Sequence, residues 1–175
     1  MIEYEQRFRI LDEDRVRNAL NQHATFVGSV HQLDVIFEIS EREVIRVRIE
    51  NNASVILEHK KMIEQHKWEE TKVLVHPEYV KNLIKIFYTL IPDIKILEKR
   101  REMWRVNDSL VCLDDVKHLG KFLEIEGQDI EKVKHLFSDA IDGTPQEPYG
   151  RMLRKLMDEG KVSFRIEDVF NAPLV

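Results

Sequence analysis

Apolar and polar residues alternate at every second position through most of this chain, which is the pattern of β-strands. Near the start, Ile2, Tyr4 and Phe8 fall on one face of the segment, while Glu3 and Glu5 fall on the other. The same period recurs along the chain. We therefore predict about eight strands, at residues 2–11, 25–39, 44–50, 53–62, 67–75, 93–106, 109–116 and 120–126.

Helical periodicity fills several of the intervals between these strands. Helices are predicted at 12–22, from Pro77 onward, at 129–141 and at 149–157. The short connections between strands favour hairpins, so the sheet should be mostly antiparallel. An antiparallel sheet of about eight strands can close into a barrel, which predicts an α+β fold with helices packed outside.

The last segment, 158–175, is less informative. Val162, Phe164 and Ile166 alternate with polar residues. This spacing predicts either an added strand or a segment that crosses the barrel mouth. An arm that contacts a partner chain is the other interpretation.

Composition excludes several classes of protein. The 175 residues fit one domain, and 27 Lys and Arg against 32 Asp and Glu give a net charge of −5, which argues against a nucleic-acid-binding protein. The chain has no apolar run of membrane-spanning length, and its charged start is not typical of a secretory signal. The single cysteine, Cys112, cannot form an internal disulfide or a zinc site built from several thiolates. We expect a cytoplasmic protein that binds neither nucleic acid nor membranes.

The charged faces of the predicted strands are sorted by sign. Glu3 and Glu5 on the first strand match Glu124 and Glu126 on the last, and basic pairs at the same spacing are Arg46 with Arg48 and Lys99 with Arg101. One interpretation is that these are solvent faces of half-buried strands. The other is a closed barrel with a charged interior. In that barrel, carboxylates would suit Mg²⁺ or Mn²⁺, and the cations would suit phosphate oxygens.

Several of these segments resemble, in order, the motifs of the CYTH domains, also called triphosphate tunnel metalloenzymes. This family includes class IV adenylyl cyclases, thiamine triphosphatases and inorganic triphosphatases. The segment at 119–126 is the most specific match. The matching segments read EYEQR at 3–7, HQLDVIF at 31–37, RVR at 46–48, LEHK at 57–60, EKRR at 98–101 and LGKFLEIE at 119–126.

The resemblance implies an eight-stranded antiparallel tunnel domain over 1–157, followed by a C-terminal extension over 158–175. It implies catalytic roles for Glu3, Glu5 and Arg7, and Mg²⁺ or Mn²⁺ as the cofactor. The implied metal ligands are Glu3, Glu5, Asp114, Glu124 and Glu126. The implied triphosphate contacts are Arg46, Arg48, Lys60, Lys99 and Arg101. The implied partner is a small-molecule triphosphate: ATP, thiamine triphosphate or inorganic triphosphate.

The sequence also departs from the family pattern. Arg7 stands where the family usually has lysine, and arginine cannot act as a general base. Glu58 adds a carboxylate to the tunnel, and the register of the fifth strand around Glu69 and Glu70 is not fixed by its pattern. Three functions stay open: an adenylyl cyclase, which we place first because of Arg7, a triphosphatase, and a non-catalytic binding module. A homodimer is one option for its assembly.

Overall fold

This computed structural model describes residues 1–171 of the chain, which contain eight strands and five α-helices. The strands are β1 (Ile2–Arg9), β2 (Thr25–Ser40), β3 (Glu43–Glu50), β4 (Ser54–Glu64), β5 (Lys67–Val75), β6 (Ile94–Val106), β7 (Ser109–Val116) and β8 (Gly120–Glu126). The helices are α1 (Glu13–His23), α2 (Val80–Leu90), α3 (Ile130–Lys134), α4 (Tyr149–Asp158) and α5 (Ile166–Asn171). Within this range, no helix has the length and apolar character needed to cross a membrane.

The strands form a closed barrel in the order β1-β5-β4-β3-β2-β6-β7-β8. Each strand pairs antiparallel with both neighbours. Several tight turns contain residues with positive φ, including Asn51 and Asn52 between β3 and β4 and Asn107 between β6 and β7. Asparagine tolerates this conformation better than most residues, which suits short hairpins. The predicted closed antiparallel barrel is therefore confirmed.

One apolar face of the barrel is covered by α1 and α3. Phe8 of β1 and Leu123 of β8 point outward and pack with Val16 and Leu20 of α1 in a buried cluster. The side chain of Asp12 caps α1 by accepting a hydrogen bond from the Arg15 backbone N–H at 3.1 Å. Because the outward residues are apolar here, the alternating charged residues of β1 and β8 must face the interior.

A second outer face is covered by α2 and α5. Phe37 of β2 and Val47 of β3 pack with Ile84 of α2 and with Ile166 and Val169 of α5. An added strand was one interpretation of the segment 158–175, of which residues 172–175 lie outside the described residues. The described part contains the helix α5 and no strand, so this interpretation is wrong. The i, i+3 spacing of the apolar residues of α5 fits one helical face, and an aspartate in its first turn accepts a hydrogen bond from the backbone N–H just before the helix, at 3.1 Å.

The helix predicted at 129–141 is much shorter in the structure. α3 ends at Lys134, and a single 3-10 turn follows. The Ala140 carbonyl accepts hydrogen bonds from the backbone N–H groups of Leu11 (2.9 Å) and Asp12 (3.1 Å), and Ile141 forms a β-bridge with Ile10. These contacts to the end of β1 hold the chain in an extended path, so the helix cannot continue.

The helix predicted at 149–157 is present as α4, and it packs against one end of the barrel. Its Tyr149 and Leu153 are buried against Ile36, Leu97 and Phe122. These three residues continue the inward faces of β2, β6 and β8, beyond the charged positions. An apolar layer and α4 therefore bound the charged interior on this side.

Candidate functional site

The barrel interior is a buried, charged cavity of about 240 Å³. Every residue predicted to have a catalytic, metal-binding or phosphate-binding role lies in this interior. Residues of both signs line or support the cavity from all eight strands. They are Glu3, Glu5 and Arg7; Asp34; Arg46 and Arg48; Glu58 and Lys60; Glu70 and Lys72; Lys99 and Arg101; Asp114; Glu124 and Glu126.

A carboxylate trio lies where β1 meets β8. The register places Glu5 opposite Glu126, while Glu124 lies opposite Arg7. Carboxylate oxygens of Glu5, Glu124 and Glu126 all lie within 4.8 Å of one another. The structure does not bring Glu3 or Asp114, the other two predicted metal ligands, into this trio.

The crowding of these carboxylates changes their titration. Burial raises the pKa of Glu3 to about 7; nearby Glu70 and Glu126 add to this effect, while the charge of Lys60 opposes it. Burial also raises the pKa of Glu126, and the charges of Glu124 and Glu5 act in the same direction. Burial also opposes ionisation of Glu5 and Glu124, but Lys60 and Arg7 lower the pKa of Glu5, and Arg101 and Arg7 lower that of Glu124. Glu126 is therefore the member of the trio whose negative charge its surroundings oppose, and a bound cation would relieve that repulsion.

Arg7 joins two members of the trio. Its Nε donates to Glu124 Oε2 at 2.8 Å, and its Nη2 donates to Glu5 Oε1 at 2.6 Å. Burial disfavours the charged guanidinium, but Glu124 and Glu5 outweigh burial and raise the pKa of Arg7 above its ordinary value. Arg7 therefore stays protonated and can position groups electrostatically but cannot accept a proton.

Arg46 and Arg48 of β3 form the basic wall opposite the trio, and each already has a carboxylate partner. Both nitrogens of the Arg48 fork bind Asp34, and Arg46 Nε donates to Glu58 Oε2 at 2.5 Å. The arginines and a nearby lysine outweigh the effect of burial and hold the pKa of Glu58 below its usual value. This wall carries fixed guanidinium forks, which suit phosphate oxygens.

Lys60 lies at the centre of a second carboxylate group. Its Nζ is 3.0 Å from Glu3 Oε2, 3.3 Å from Glu5 Oε2 and 2.5 Å from Glu70 Oε1. Burial disfavours the ammonium, but the charges of Glu5, Glu3 and Glu70 together outweigh burial and raise the pKa of Lys60. The structure also resolves the register of β5, because Glu70 faces inward and Glu69 is exposed.

Lys99 and Arg101 of β6 share one acceptor, Asp114. Arg101 binds both oxygens of Asp114, each at 2.7 Å, and Lys99 Nζ donates to Asp114 Oδ2 at 3.1 Å. The Tyr149 hydroxyl donates to the same oxygen at 2.9 Å. Asp114 thus orients two cations rather than joining the carboxylate trio. Burial and neighbouring Arg101 lower the pKa of Lys99.

Four buried groups that had no role predicted from the sequence position the residues that had one. Asp34 lay within a matched motif, and its alternation with inward-facing Gln32 was a usable signal. Glu58 was noted only as a departure from the family, and Glu70 was left without a register. Tyr149 was recognised only as part of a short helix. Each contacts a predicted phosphate-binding residue. Asp34 and Glu58 do so through hydrogen bonds and Glu70 through an ion pair, while Tyr149 shares the acceptor Asp114 with Lys99, whose ammonium lies over its ring.

The carboxylate trio fits a hard divalent cation. All its donors are oxygens, which Mg²⁺ and Mn²⁺ prefer, and the barrel wall leaves the trio facing the cavity. Glu3 lies close enough to the trio to influence it electrostatically. We identify Glu5, Glu124 and Glu126 as the residues that would hold the ion.

The chain belongs to the CYTH domain family, because the family model matches residues 1–146. No curated protein matches the sequence significantly. The match covers all eight strands and hence the whole charged interior. Members of this family are triphosphate tunnel enzymes, and they generally depend on a divalent metal.

Solved structures share the fold. PH1012 protein from Pyrococcus horikoshii is 25% identical, with a TM-score of 0.65; the match covers 81% of this chain and 95% of that one. A candidate adenylate cyclase from Vibrio parahaemolyticus is 14% identical, with a TM-score of 0.65 and coverages of 88% and 98%. Another from Bacillus halodurans is 16% identical, with a TM-score of 0.53 and coverages of 97% and 97%. These two structures share the fold of this chain.

Proposed function

We propose that this protein is a divalent-metal-dependent enzyme that converts ATP to cyclic AMP and pyrophosphate, in the manner of class IV adenylyl cyclases. The observation that carries the proposal is the juxtaposition of the Glu5–Glu124–Glu126 trio with the basic side chains of β3 and β6 in one buried cavity. Phosphoryl chemistry needs this combination of a metal site and cations around a polyanion.

The basic side chains would hold the phosphate chain. Arg46, Arg48 and Arg101 would contact phosphate oxygens through the N–H groups that their carboxylate partners do not occupy, and Lys60 and Lys99 would contact them as point charges. Mg²⁺ or Mn²⁺ at the trio would supply charge neutralisation on the phosphates. Burial in the barrel limits the access of bulk water and strengthens these interactions. Such positioning would align the ribose 3′ hydroxyl with the α-phosphorus, from which pyrophosphate leaves.

Arg7 is our reason for placing cyclisation before hydrolysis. It stands where the family usually has lysine, and its two carboxylate contacts keep it charged. A residue in that state cannot take a proton from an attacking water. In the cyclase reaction the nucleophile is the ribose 3′ hydroxyl of the substrate, so no water has to be positioned. This hydroxyl would be acidified by a divalent ion held by the trio, so that its proton could pass to solvent without Arg7 acting as a base.

A triphosphatase acting on thiamine, inorganic or nucleoside triphosphate is the alternative reaction. Lys99 favours it, because this buried lysine faces the cavity and its pKa is lowered. A lysine of lowered pKa can exchange protons more readily than Arg7. The third candidate is a module that binds triphosphate without reaction, and the pairing of the tunnel cations with carboxylates favours that function.

Product analysis separates the three functions. The protein is incubated with Mg²⁺ or Mn²⁺ and with ATP, thiamine triphosphate or inorganic triphosphate, and products are resolved by ion-exchange chromatography. Cyclic AMP with equimolar pyrophosphate supports the proposal. Orthophosphate without cyclic nucleotide supports the triphosphatase, and binding without product from any substrate supports the module. Arg7→Lys, assayed in parallel, should increase any orthophosphate release if a lysine at this position favours hydrolysis.

The compartment is part of the proposal. The only cysteine, Cys112, is buried, and its thiol needs no oxidising environment. We place the protein in the cytoplasm, where ATP and Mg²⁺ are both available to it. Fractionation of cells that express the tagged full chain would test this location.

A further inference from the structure

A second cavity, of about 340 Å³, lies beside the tunnel on the side where the chain enters α4. Glu5 and Arg7, whose buried side chains point into the barrel, line both cavities, so the second cavity adjoins the tunnel at one end of the barrel interior. The rest of the second cavity is built from the β4–β5 hairpin, from the segment 145–148, and from two arginines, Arg42 just before β3 and Arg151 of α4. A volume of this size is in the range of small-molecule sites.

Both sides of this cavity are fixed to β1 by backbone hydrogen bonds. The Glu5 N–H donates to the His66 carbonyl at 3.1 Å, and the Gln146 N–H donates to the Arg7 carbonyl at 2.8 Å. These bonds attach the hairpin turn and the approach to α4 to the same short stretch of strand. The cavity is therefore formed before any ligand arrives, which lowers the entropy cost of binding.

The lining of the cavity suits a flat ring. Trp68, Met62, Pro145 and Pro148 supply apolar and aromatic surface, and the exposed Gln65 supplies an amide at the rim. Within residues 1–171 the Gln65 side chain makes no hydrogen bond. An aromatic surface with one amide at the rim is the combination that recognises both the face and the edge of a heteroaromatic ring.

Trp68 also connects this cavity to the tunnel. Its side chain is almost fully buried, and Lys60 Nζ lies 5.1 Å from the centroid of its ring. Lys60 is one of the cations that face the phosphate cavity. Trp68 and Lys60 are therefore close enough for one ligand to contact Trp68 with a ring and Lys60 with a phosphate.

We propose that this cavity binds the heteroaromatic ring of an organic triphosphate whose phosphates lie in the tunnel. The proposal rests on the proposed function, and it assigns Trp68 and Gln65 as specificity-determining residues. It makes an organic triphosphate, rather than inorganic triphosphate, the preferred substrate. The adenine of ATP and the aminopyrimidine of thiamine triphosphate share the required chemistry, so both are included in the test.

Fluorescence of Trp68 can report directly on this cavity. The chain has two tryptophans, and the other, Trp104, packs outside the barrel with its ring 5.0 Å from that of Phe26. The Trp104→Phe variant would leave Trp68 as the only tryptophan. This variant is titrated with inorganic triphosphate, ATP and thiamine triphosphate, with Ca²⁺ in place of Mg²⁺ to slow turnover. Affinities are measured in parallel by calorimetry.

We expect at least one organic triphosphate to bind tighter than inorganic triphosphate by roughly 5- to 150-fold, the range for stacking on one aromatic ring. That ligand should change Trp68 fluorescence strongly, and inorganic triphosphate should change it little. Which organic ligand does so distinguishes adenine from aminopyrimidine. Trp68→Leu is made in the chain that retains Trp104 and is measured by calorimetry. It should bind the organic triphosphate no tighter than inorganic triphosphate, and its affinity for inorganic triphosphate should equal that of the wild type.

Gln65→Ala keeps the test informative if Trp68→Leu does not fold, because Gln65 lies in an exposed turn. It should weaken the organic ligand about fivefold, as expected for one lost hydrogen bond. The matched control Gln22→Ala, on an exposed position of α1, should change neither affinity. Equal binding of organic and inorganic triphosphates, unaltered by either cavity variant, would overturn this inference and leave the proposed function intact. Failure of every triphosphate to bind would instead overturn the proposed function.

Discussion

Arg48 Nε and Nη2 each donate a 2.8 Å hydrogen bond to a different oxygen of Asp34, and both side chains are buried. This pair fixes the plane of a guanidinium that faces the phosphate cavity. Burial opposes ionisation of Asp34, but Arg48 and Arg46 outweigh it and hold the pKa of this carboxyl well below its usual value. Asp34 thus positions a cation of the candidate site and neutralises it in the barrel wall.

Replacing Asp34 should therefore destabilise the fold. Asp34→Asn removes the carboxylate that binds both fork nitrogens of the buried Arg48 and leaves Glu58, 3.8 Å away, as its nearest counter-charge. Breaking a buried ion pair in this way costs about 3–5 kcal/mol. Urea unfolding followed by circular dichroism should show a loss of this order. Asp108→Asn, at an exposed turn position with no ion pair within residues 1–171, is the matched control and should change the unfolding free energy little. Equal stability of the two variants would contradict the role of Asp34.

Alternation along the strands was sufficient to predict which charged residues share a face. Arg46 with Arg48, and Glu124 with Glu126, are separated by two positions and must point to the same side of their strands. The pattern left open whether this side faced solvent or the interior of a barrel, and the resemblance to the CYTH motifs favoured the interior. The structure confirms the closed barrel, in which outward residues such as Phe8 are apolar and lie under helices.

Partnerships across the barrel could not be predicted in the same way. Arg7 and Glu124 are 117 positions apart, and their contact depends on barrel closure and on the register between β1 and β8. The register of β5 was ambiguous because both of its faces begin with polar residues around Glu69 and Glu70. Local pattern carries no information on such pairings, since they are decided by the packing of the complete sheet.

The carboxylate trio should give the protein a metal-dependent thermal stability. Millimolar Mn²⁺ should raise the melting temperature, because an ion that binds only the folded state stabilises it by mass action. Glu126→Gln should reduce this increase, and the double variant Glu124→Gln/Glu126→Gln should abolish it. Glu69→Gln, on an exposed position of β5, is the matched control. A melting temperature that does not respond to Mn²⁺ in the presence of nucleotide would count against the metal site.

The hydroxyl of Tyr149 should contribute to stability at the barrel end. It donates to Asp114 Oδ2 at 2.9 Å in a buried setting, and a hydrogen bond to a charged group contributes about 1.5–3 kcal/mol. Tyr149→Phe removes that bond and keeps the ring that packs on Phe122. Tyr88→Phe, on the exposed face of α2, serves as the reference. Thermal unfolding should show a loss for Tyr149→Phe alone; equal melting temperatures would contradict this role.

Stability should depend on pH through Glu38. Burial opposes its ionisation, but hydrogen bonds from Lys95 and Arg154 outweigh burial and lower the pKa of this carboxyl. A lowered pKa means that the ionised group stabilises the fold above its ordinary pKa of about 4.3 and loses that effect as the pH falls. Glu38→Gln should therefore cost about 2 kcal/mol at pH 7 and much less near pH 3.

Urea unfolding of wild type and Glu38→Gln at both pH values measures this difference. Glu41→Gln is the control, because its exposed side chain makes no ion pair within residues 1–171. A cost of Glu38→Gln that stays constant between pH 7 and pH 3 would show that the charge of Glu38 is not involved.

Glu58 should lower the affinity of the tunnel for phosphates. It is buried, it accepts a 2.5 Å hydrogen bond from Arg46 Nε, and it lies 3.8 Å from Arg48 Nη1. A triphosphate that binds these arginines must compete with this carboxylate. Glu58→Gln removes the competing charge while retaining an oxygen acceptor, so the affinity for inorganic triphosphate should rise by about tenfold, equivalent to about 1.4 kcal/mol. Calorimetry with Ca²⁺ and inorganic triphosphate measures it.

The Glu58→Gln variant should also be less stable than the wild type without ligand, because within residues 1–171 Arg46 loses one of its two counter-charges and keeps only Asp34, at 3.4 Å. A higher affinity for inorganic triphosphate combined with a lower stability would show that Glu58 competes with the ligand for the arginines, because damage to the fold alone would lower both quantities. Glu69→Gln, on the outer face of β5, should change neither quantity. If Glu58→Gln weakens the binding of inorganic triphosphate in a protein that is folded by circular dichroism, then Glu58 orients Arg46 for the ligand instead of competing with it.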